Sequence, residues 1–297
     1  MRNFDLLVER ALTSENRTHM RPVIEKELLH YDILFALDNA GLLDNLTFQG
    51  GTALRLCYGA ARYSEDLDFA GGKAFVATHL TEMKSCLEKY LGNRYGLTVT
   101  VKEPKQLSEA KKMDVIRVDK WQLNVITTPE KKDLPQQKIK IEVINIPAYS
   151  REPRVLQRNY DFLPDGYSDT LIMTESLDEI MADKLIAFVA CTRYIRYRDI
   201  WDLRWLKQQG AVVQKNYILN KIQDYRISDY FKKLNDVFAK LDDIVKSKIF
   251  YDEMTRFIPI DAQQRTLHKK NFSIFLSNEM KSLFEAVRKL QHKTVEK

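Results

Sequence analysis

Apolar residues recur at helical spacing between Pro22 and Ala40, where Val23, Ile24, Leu28, Leu29, Ile33, Leu34 and Leu37 predict one helix. Pro22 suits its first turn and Gly41 its C-terminal cap. The helical period then stops. Leu46 to Gln49 predicts a short buried strand, Gly50-Gly51 a turn and Thr52 to Tyr58 a short helix. A second strand is predicted at Asp66-Leu67-Asp68-Phe69, closed by Gly71-Gly72. Phe75 to Leu91 reads as a helix, and Leu97 to Glu103 and Val115 to Val125 as strands. Pro129 to Gln137 is charged, holds two prolines and reads as an exposed hairpin loop. From Lys138 to Ile146 the pattern alternates: Ile139, Ile141 and Val143 take one face, Lys138, Lys140, Glu142 and Ile144 the other.

Residues 147–170, with Pro147, Pro153, Pro164 and Gly166, read as irregular, and Thr170 to Thr174 is strand-like. Ser176-Leu177-Asp178-Glu179 is a capping box, so a helix is expected from Leu177 to Ala190. Helical spacing returns at Tyr217–Asp224, Ile227–Leu241, Tyr251–Phe257 and Asn278–Leu290. The order predicts an α/β fold: a mixed sheet flanked by helices over residues 1–172, then a helical bundle domain over residues 173–297.

The chain has 297 residues, 44% of them hydrophobic, enough for one large or two ordinary domains. It holds no run of 18 apolar residues, so no membrane span is expected, and Met1 to Arg10 lacks the apolar stretch of a signal peptide. Cys57, Cys86 and Cys191 are far apart and read as buried free thiols in a reducing cytoplasm. The five histidines show no ligand spacing, which argues against zinc. Residues 1–184 hold 25 Lys+Arg and 28 Asp+Glu, net −3, whereas residues 185–297 hold 22 and 13, net +9. The basic half could attract a polyanion. His268-Lys269-Lys270 reads as a solvated loop.

The acidic half carries the candidate chemistry. Residues two apart on a strand share a face, so Asp66 and Asp68 present paired carboxylates while Leu67 and Phe69 point inward. Such a pair repels itself unless a cation intervenes, and oxygen ligands suit Mg2+. The Gly50-Gly51 turn opens a helix whose free N–H groups can hold a phosphate. A phosphate cradle followed by paired carboxylates points to metal-assisted phosphoryl or nucleotidyl transfer. Arg55 and Arg62 flank this strand; one could meet a substrate phosphate, or each could pair with Glu65 or a nearby aspartate. Ser64 caps the strand's start, with no histidine close in sequence to make it a nucleophile.

Gly50-Gly51-Thr52-Ala53-Leu54-Arg55, followed by Arg62-x-Ser64-x-Asp66-Leu67-Asp68-Phe69, resembles the first motif of the AbiEii/AbiGii toxin-type nucleotidyltransferases, within the DNA polymerase β-like superfamily. Asp178-Glu179, four residues, then Lys184 resembles the third motif. A basic residue followed by Asp199-x-x-Asp202-Leu203 resembles the fourth, and the likeness spans roughly residues 48 to 206. Glu142 sits where the family looks for a third acidic residue, although Asp is commoner there. The resemblance implies Mg2+ held by Asp66, Asp68 and Glu142, in a site that could take two ions. It also implies a triphosphate held by Gly50, Gly51 and Thr52, with Arg55 and Ser64 beside them. Lys184 would contact the triphosphate, and Asp199 would bind the nucleotide or position Lys184 from the second domain. Asp202 reads as structural, paired with Arg198, and Asp183 as facing solvent. Arg193, Arg196 and Arg198, interleaved with Tyr194, Tyr197 and Trp201, are candidate RNA contacts.

The implied activity is transfer of a nucleoside monophosphate from an NTP to RNA, such as the tRNA 3′ end. By the same resemblance it is the toxin of a toxin–antitoxin pair with a separately encoded antitoxin. Two alternatives use the same residues: a non-catalytic nucleotide- or RNA-binding protein, and a metal-dependent phosphohydrolase.

Overall fold

The computed structural model describes residues 3–13, 18–105, 115–127, 136–163 and 165–292. Two compact units divide the chain, Met1–Glu175 and Ser176–Lys297.

In the first unit, α1 (Phe4–Thr13), α2 (Arg21–Asn39), α3 (Gly50–Tyr58) and α4 (Met83–Tyr95) accompany seven strands. These are β1 (Thr47–Gln49), β2 (Leu67–Ala70), β3 (Thr98–Lys102), β4 (Val118–Ile126), β5 (Gln137–Ile144), β6 (Glu152–Val155) and β7 (Leu171–Thr174). They form one mixed sheet in the order β3-β4-β5-β2-β1-β7-β6. The central β2 runs antiparallel to β1 and parallel to β5. The alternation read in β5 is real: Ile139, Ile141 and Val143 are fully buried, and Lys138, Lys140 and Glu142 lie opposite them.

Helix α2 is buried on nearly every side. Its buried polar residues are all engaged: Glu25 accepts from Thr127 and Gln137, Glu27 from Arg55, and Asp32 from Tyr95. Gly41 takes φ +68° beyond its end, and Leu42 N–H reaches back to the Leu37 carbonyl at 2.9 Å. That is a Schellman ending, which needs the left-handed conformation glycine permits.

Three expectations need correction here, and one helix is new. Helix α4 starts at Met83, not Phe75. Phe75 instead folds back in a turn onto Gly71, where an added Cβ would lie 2.5 Å from its ring, and residues Ala77–Leu80 form a 3-10 turn. The segment expected to be irregular contains β6, whose short, exposed, proline-bearing sequence suits a sheet edge. Helix α1 was not anticipated. Cys86 and Cys191 are half-buried, and Cys57 alone of the three is buried. Residues 129–135 of the expected hairpin loop lie outside the described residues.

The second unit comprises α5 (Leu177–Ala190), α6 (Tyr197–Gln208), α7 (Lys215–Asp224), α8 (Tyr230–Lys246), α9 (Lys248–Thr255), α10 (Ile260–Arg265) and α11 (Phe272–His292). Helix α5 packs against α6, α7 and α8, and α11 packs against α6, α7 and α8. Leu185, Ile200, Leu203, Leu234, Leu276 and Phe284 are fully buried among them. The capping box starts α5 as read, with Ser176 Oγ accepting the Glu179 N–H at 3.3 Å. Helix α6 begins only at Tyr197, so Arg193 and Arg196 precede it, and Tyr194 and Ile195 are exposed there.

Candidate active site

Backbone register carries three acidic residues side by side on the sheet of the first unit. Asp68 and Glu142 are register partners on the adjacent parallel strands β2 and β5. Asp66, one residue before β2, accepts the Lys140 backbone N–H at 3.0 Å. Their neighbours Leu67, Phe69, Ile141 and Val143 are buried on the opposite face. Strand alternation therefore sets all three acids on one face, half-exposed, while the chain between them anchors in the core.

Lysines balance these acids. Lys120 on β4 is the register partner of Glu142 and meets it at 2.6 Å, and Lys140 Nζ lies 3.5 Å from Asp66. Both lysine side chains are more than 40% exposed, at 47% and 42%, so each can swing into solvent. Glu142 thus pairs across strands with Lys120, not with Lys138 or Lys140 on its own strand face, through a register that linear sequence does not reveal.

The double glycine has a steric cause. Gly50 takes φ +79°, and a Cβ there would stand 2.8 Å from Asp68 Oδ2. A Cβ on Gly51 would collide with the Arg62 guanidinium and lie 3.0 Å from Ser64 Oγ. Only glycines let the start of α3 press against Asp68 and Ser64. The loop carrying Ser64, Glu65 and Asp66 is tied down from several sides. Thr52 Oγ1 donates to the Asp66 carbonyl, Lys26 pairs with Glu65 at 2.7 Å, and His30 Nε2 donates to the Glu65 carbonyl at 3.0 Å. Burial lowers the His30 pKa to about 4, so the ring is neutral at neutral pH. Lys26 and His30 were missed in the sequence because they lie over thirty residues upstream, on a helix read as packing only.

Arg55 stands apart from this cluster. Its guanidinium forks onto Glu27 at 2.8 and 3.0 Å, donates to the Ala60 carbonyl at 3.1 Å and stacks 4.2 Å from the Tyr63 ring. Its ion-pair partner is thus Glu27, not Glu65 or a nearby aspartate. Arg62 donates to the Tyr63 carbonyl at 2.6 Å.

In the second unit the motif residues form buried ion clusters. Lys184, 6% exposed on the apolar stripe of α5, reaches Asp199 at 3.0 Å and Asp202 at 2.7 Å on α6. Asp199 also meets Arg196. Burial pushes the Asp199 carboxyl up, but Lys184 and Arg196 outweigh it and hold the pKa below the ordinary value. Lys221 on α7 is 1% exposed between Glu179 and Asp183, each at 2.8 Å, so Asp183 carries an ion pair in place of the solvent-facing role expected of it. Asp178 accepts from Val212 N–H and Gln214, both at 2.9 Å. Arg198 meets Glu253 at 3.3 Å and lies 4.8 Å from the Phe257 ring.

Among the described residues, no helix is long and apolar enough to cross a membrane. The nucleotidyltransferase toxin MenT4 of Mycobacterium tuberculosis H37Rv is similar in fold, with a TM-score of 0.56 at 17% identity over 96% of this chain and 89% of that one. JHP933 from Helicobacter pylori aligns at 18% identity over 92% of this chain and 95% of that one, with a TM-score of 0.47. No curated protein matches the sequence. The profile of the AbiEii nucleotidyl transferase toxins of type IV toxin–antitoxin systems matches residues 32–288. With most of its length matched and the sheet and helical units in place, the chain belongs to the AbiEii nucleotidyltransferase toxin family.

Proposed function

We propose that the protein transfers a nucleoside monophosphate from an NTP to an RNA acceptor, with the tRNA 3′ end as the favoured target, and that it acts in the cytoplasm as a toxin restrained by an antitoxin. The observation that carries this reading is the register pairing of Asp68 with Glu142, with Asp66 beside them and the glycine turn pressed against Asp68. Three half-exposed carboxylates on one face supply oxygen donors of the kind Mg2+ takes. They would have to draw in around the ion, since their oxygens do not all lie within 4.8 Å of one another. Held there, the ion would offset triphosphate charge and favour attack at the α-phosphorus. Gly50, Gly51 and Thr52 leave the first N–H groups of α3 for phosphate oxygens, with Ser64 Oγ alongside. Glu142 accepts the proton of the attacking RNA hydroxyl. Lys120 and Lys140 withdraw from Glu142 and Asp66 as the substrate complex forms. In the second unit, Lys184 enters with its charge already balanced by Asp199 and Asp202. Its part, like that of Asp199, is to fix α5 to α6 as one ion cluster.

The test is incubation of the protein with labelled NTPs, Mg2+ and total RNA. Label is expected in RNA, with release of pyrophosphate, for the wild type and not for Asp66→Ala. Transfer that survives Asp66→Ala overturns the assignment. Release of inorganic phosphate, with no labelled RNA, would favour a phosphohydrolase.

A further inference from the structure

Arg204 on α6 takes no part in the ion clusters above. It is 8% exposed, yet among the described residues no carboxylate or carbonyl accepts from its guanidinium, and Nε is buried without a partner. The acids that act on it at longer range are committed elsewhere: Asp202 to Lys184 at 2.7 Å, and Glu279 to Lys207 at 3.1 Å. What holds the group is aromatic. Its Cζ lies 4.3 Å from the Trp201 ring and 5.9 Å from the Phe272 ring. Burial lowers its pKa to about 10, still leaving it cationic. A buried Nε–H without an acceptor costs stability, while the Nη groups stay open to a partner. Such a group in a native fold calls for a partner, be it water, an ion or a ligand.

The surroundings specify that ligand. Phe275, whose ring centroid lies 6.2 Å from that of Phe272, is 41% exposed, and Ile274 beside it is 53% exposed. Exposed Lys269 and Lys270 lead into the same helix start. Residues 185–297 carry net +9, so the long-range field favours a polyanion over an acidic segment of modest charge. An aromatic face, a stacked arginine with open donors and flanking lysines are the parts that grip single-stranded nucleic acid.

We propose that the α6–α11 face around Arg204 binds the RNA acceptor strand: Arg204 takes a backbone phosphate, Phe275 stacks on a base, and Lys269 and Lys270 hold flanking phosphates. This rests on the acceptor being RNA, and it adds which residues grip it.

The experiment is fluorescence anisotropy of the full chain with a labelled mixed-sequence single-stranded RNA of about 12 nucleotides, a span suited to one binding surface, across a salt series. Arg204→Met is expected to weaken binding about tenfold and to reduce the salt slope by about one. Its melting temperature should hold or rise, because an unpaired buried charge is removed while the stem still packs. Phe275→Ala should weaken binding with the salt slope unchanged. Lys269→Ala with Lys270→Ala should reduce the slope by about two. Unchanged affinity and slope in Arg204→Met overturns the proposal. So does a melting temperature that falls by several degrees while RNA binding stays intact, which would make Arg204 a packing residue. A poly-glutamate peptide that competes as well as RNA would make this a carboxylate-binding face and overturn the RNA assignment. Nucleotide transfer by the wild type separates the two readings. If label enters RNA and Arg204→Met behaves as wild type, only the role of this face falls. If label enters no RNA, the acceptor reading falls and this inference with it.

Discussion

Acids meet lysines in both units, in opposite surroundings. On the sheet, the Glu142 and Lys120 side chains are 26% and 47% exposed. In the helical unit, those of Lys184, Asp199 and Asp202 are 7%, 5% and 2% exposed. Solvent screens the first kind of pair and leaves it weak, so an incoming cation can replace the lysine at small cost. The second kind has lost its hydration, and removal of one partner strands the others in a low-dielectric interior. The same residue chemistry thus yields an exchangeable site in one unit and a fixed brace in the other.

The largest effect is expected on catalysis. Asp68→Asn or Asp66→Asn should lower pyrophosphate release by about a thousandfold, the scale of losing a key electrostatic group. Circular dichroism melts should meanwhile stay near wild type, because these acids are half-exposed and asparagine keeps the shape and the oxygen that accepts the Lys140 N–H. Lys184→Met should do the converse to stability, lowering the unfolding free energy in urea by roughly 3–5 kcal/mol as Asp199 and Asp202 lose their shared cation. Adding Asp199→Asn and Asp202→Asn to that variant should recover much of the loss. A single variant that melts like wild type would remove the distinction between brace and site.

His30 ties the active-site loop to α2 and gives a pH signature. Its unfolded pKa is near 6.5 and its folded pKa about 4, so within that window the unfolded chain binds more protons. Stability should therefore fall as pH drops from about 6.5 toward 4, by on the order of 3 kcal/mol from this group. His30→Gln, which keeps a donor for the Glu65 carbonyl, should flatten that part of the profile measured by urea unfolding.

Gly50→Ala should cost roughly 1–3 kcal/mol through its positive φ and its approach to Asp68, with activity falling as α3 backs away. The smallest effect is expected for Lys120→Ala, whose exposed pair is worth no more than about 1 kcal/mol in chemical denaturation. That variant should bind divalent cations more tightly, since Glu142 then has no competing ammonium.

Much of this was legible along the chain because local physics wrote it there. The Ser176–Glu179 capping box places the start of α5, and the alternation of Ile139, Ile141 and Val143 places Glu142 on the face of its strand. The Asp66-x-Asp68 spacing sets two acids side by side whatever the rest of the fold. The partners were not legible. Lys120 meets Glu142 through strand register, Arg55 meets Glu27 across 28 residues, and Lys221 reaches Glu179 from a different helix. Those pairings arise from tertiary packing, which no window of sequence contains. Helix α4 was placed too early for a related reason: Phe75 is apolar because it packs on Gly71, not because it belongs to a helix.

The central claim is that the strand carboxylates are the cation site, and Mn2+ titration followed by electron paramagnetic resonance tests it most directly. In the presence of a non-hydrolysable NTP analogue, the wild type should take up Mn2+ saturably, Asp68→Asn and Asp66→Asn should lose that binding, and Lys184→Met, under conditions where it remains folded, should keep it. Mn2+ uptake that is unchanged in both aspartate variants would contradict the account.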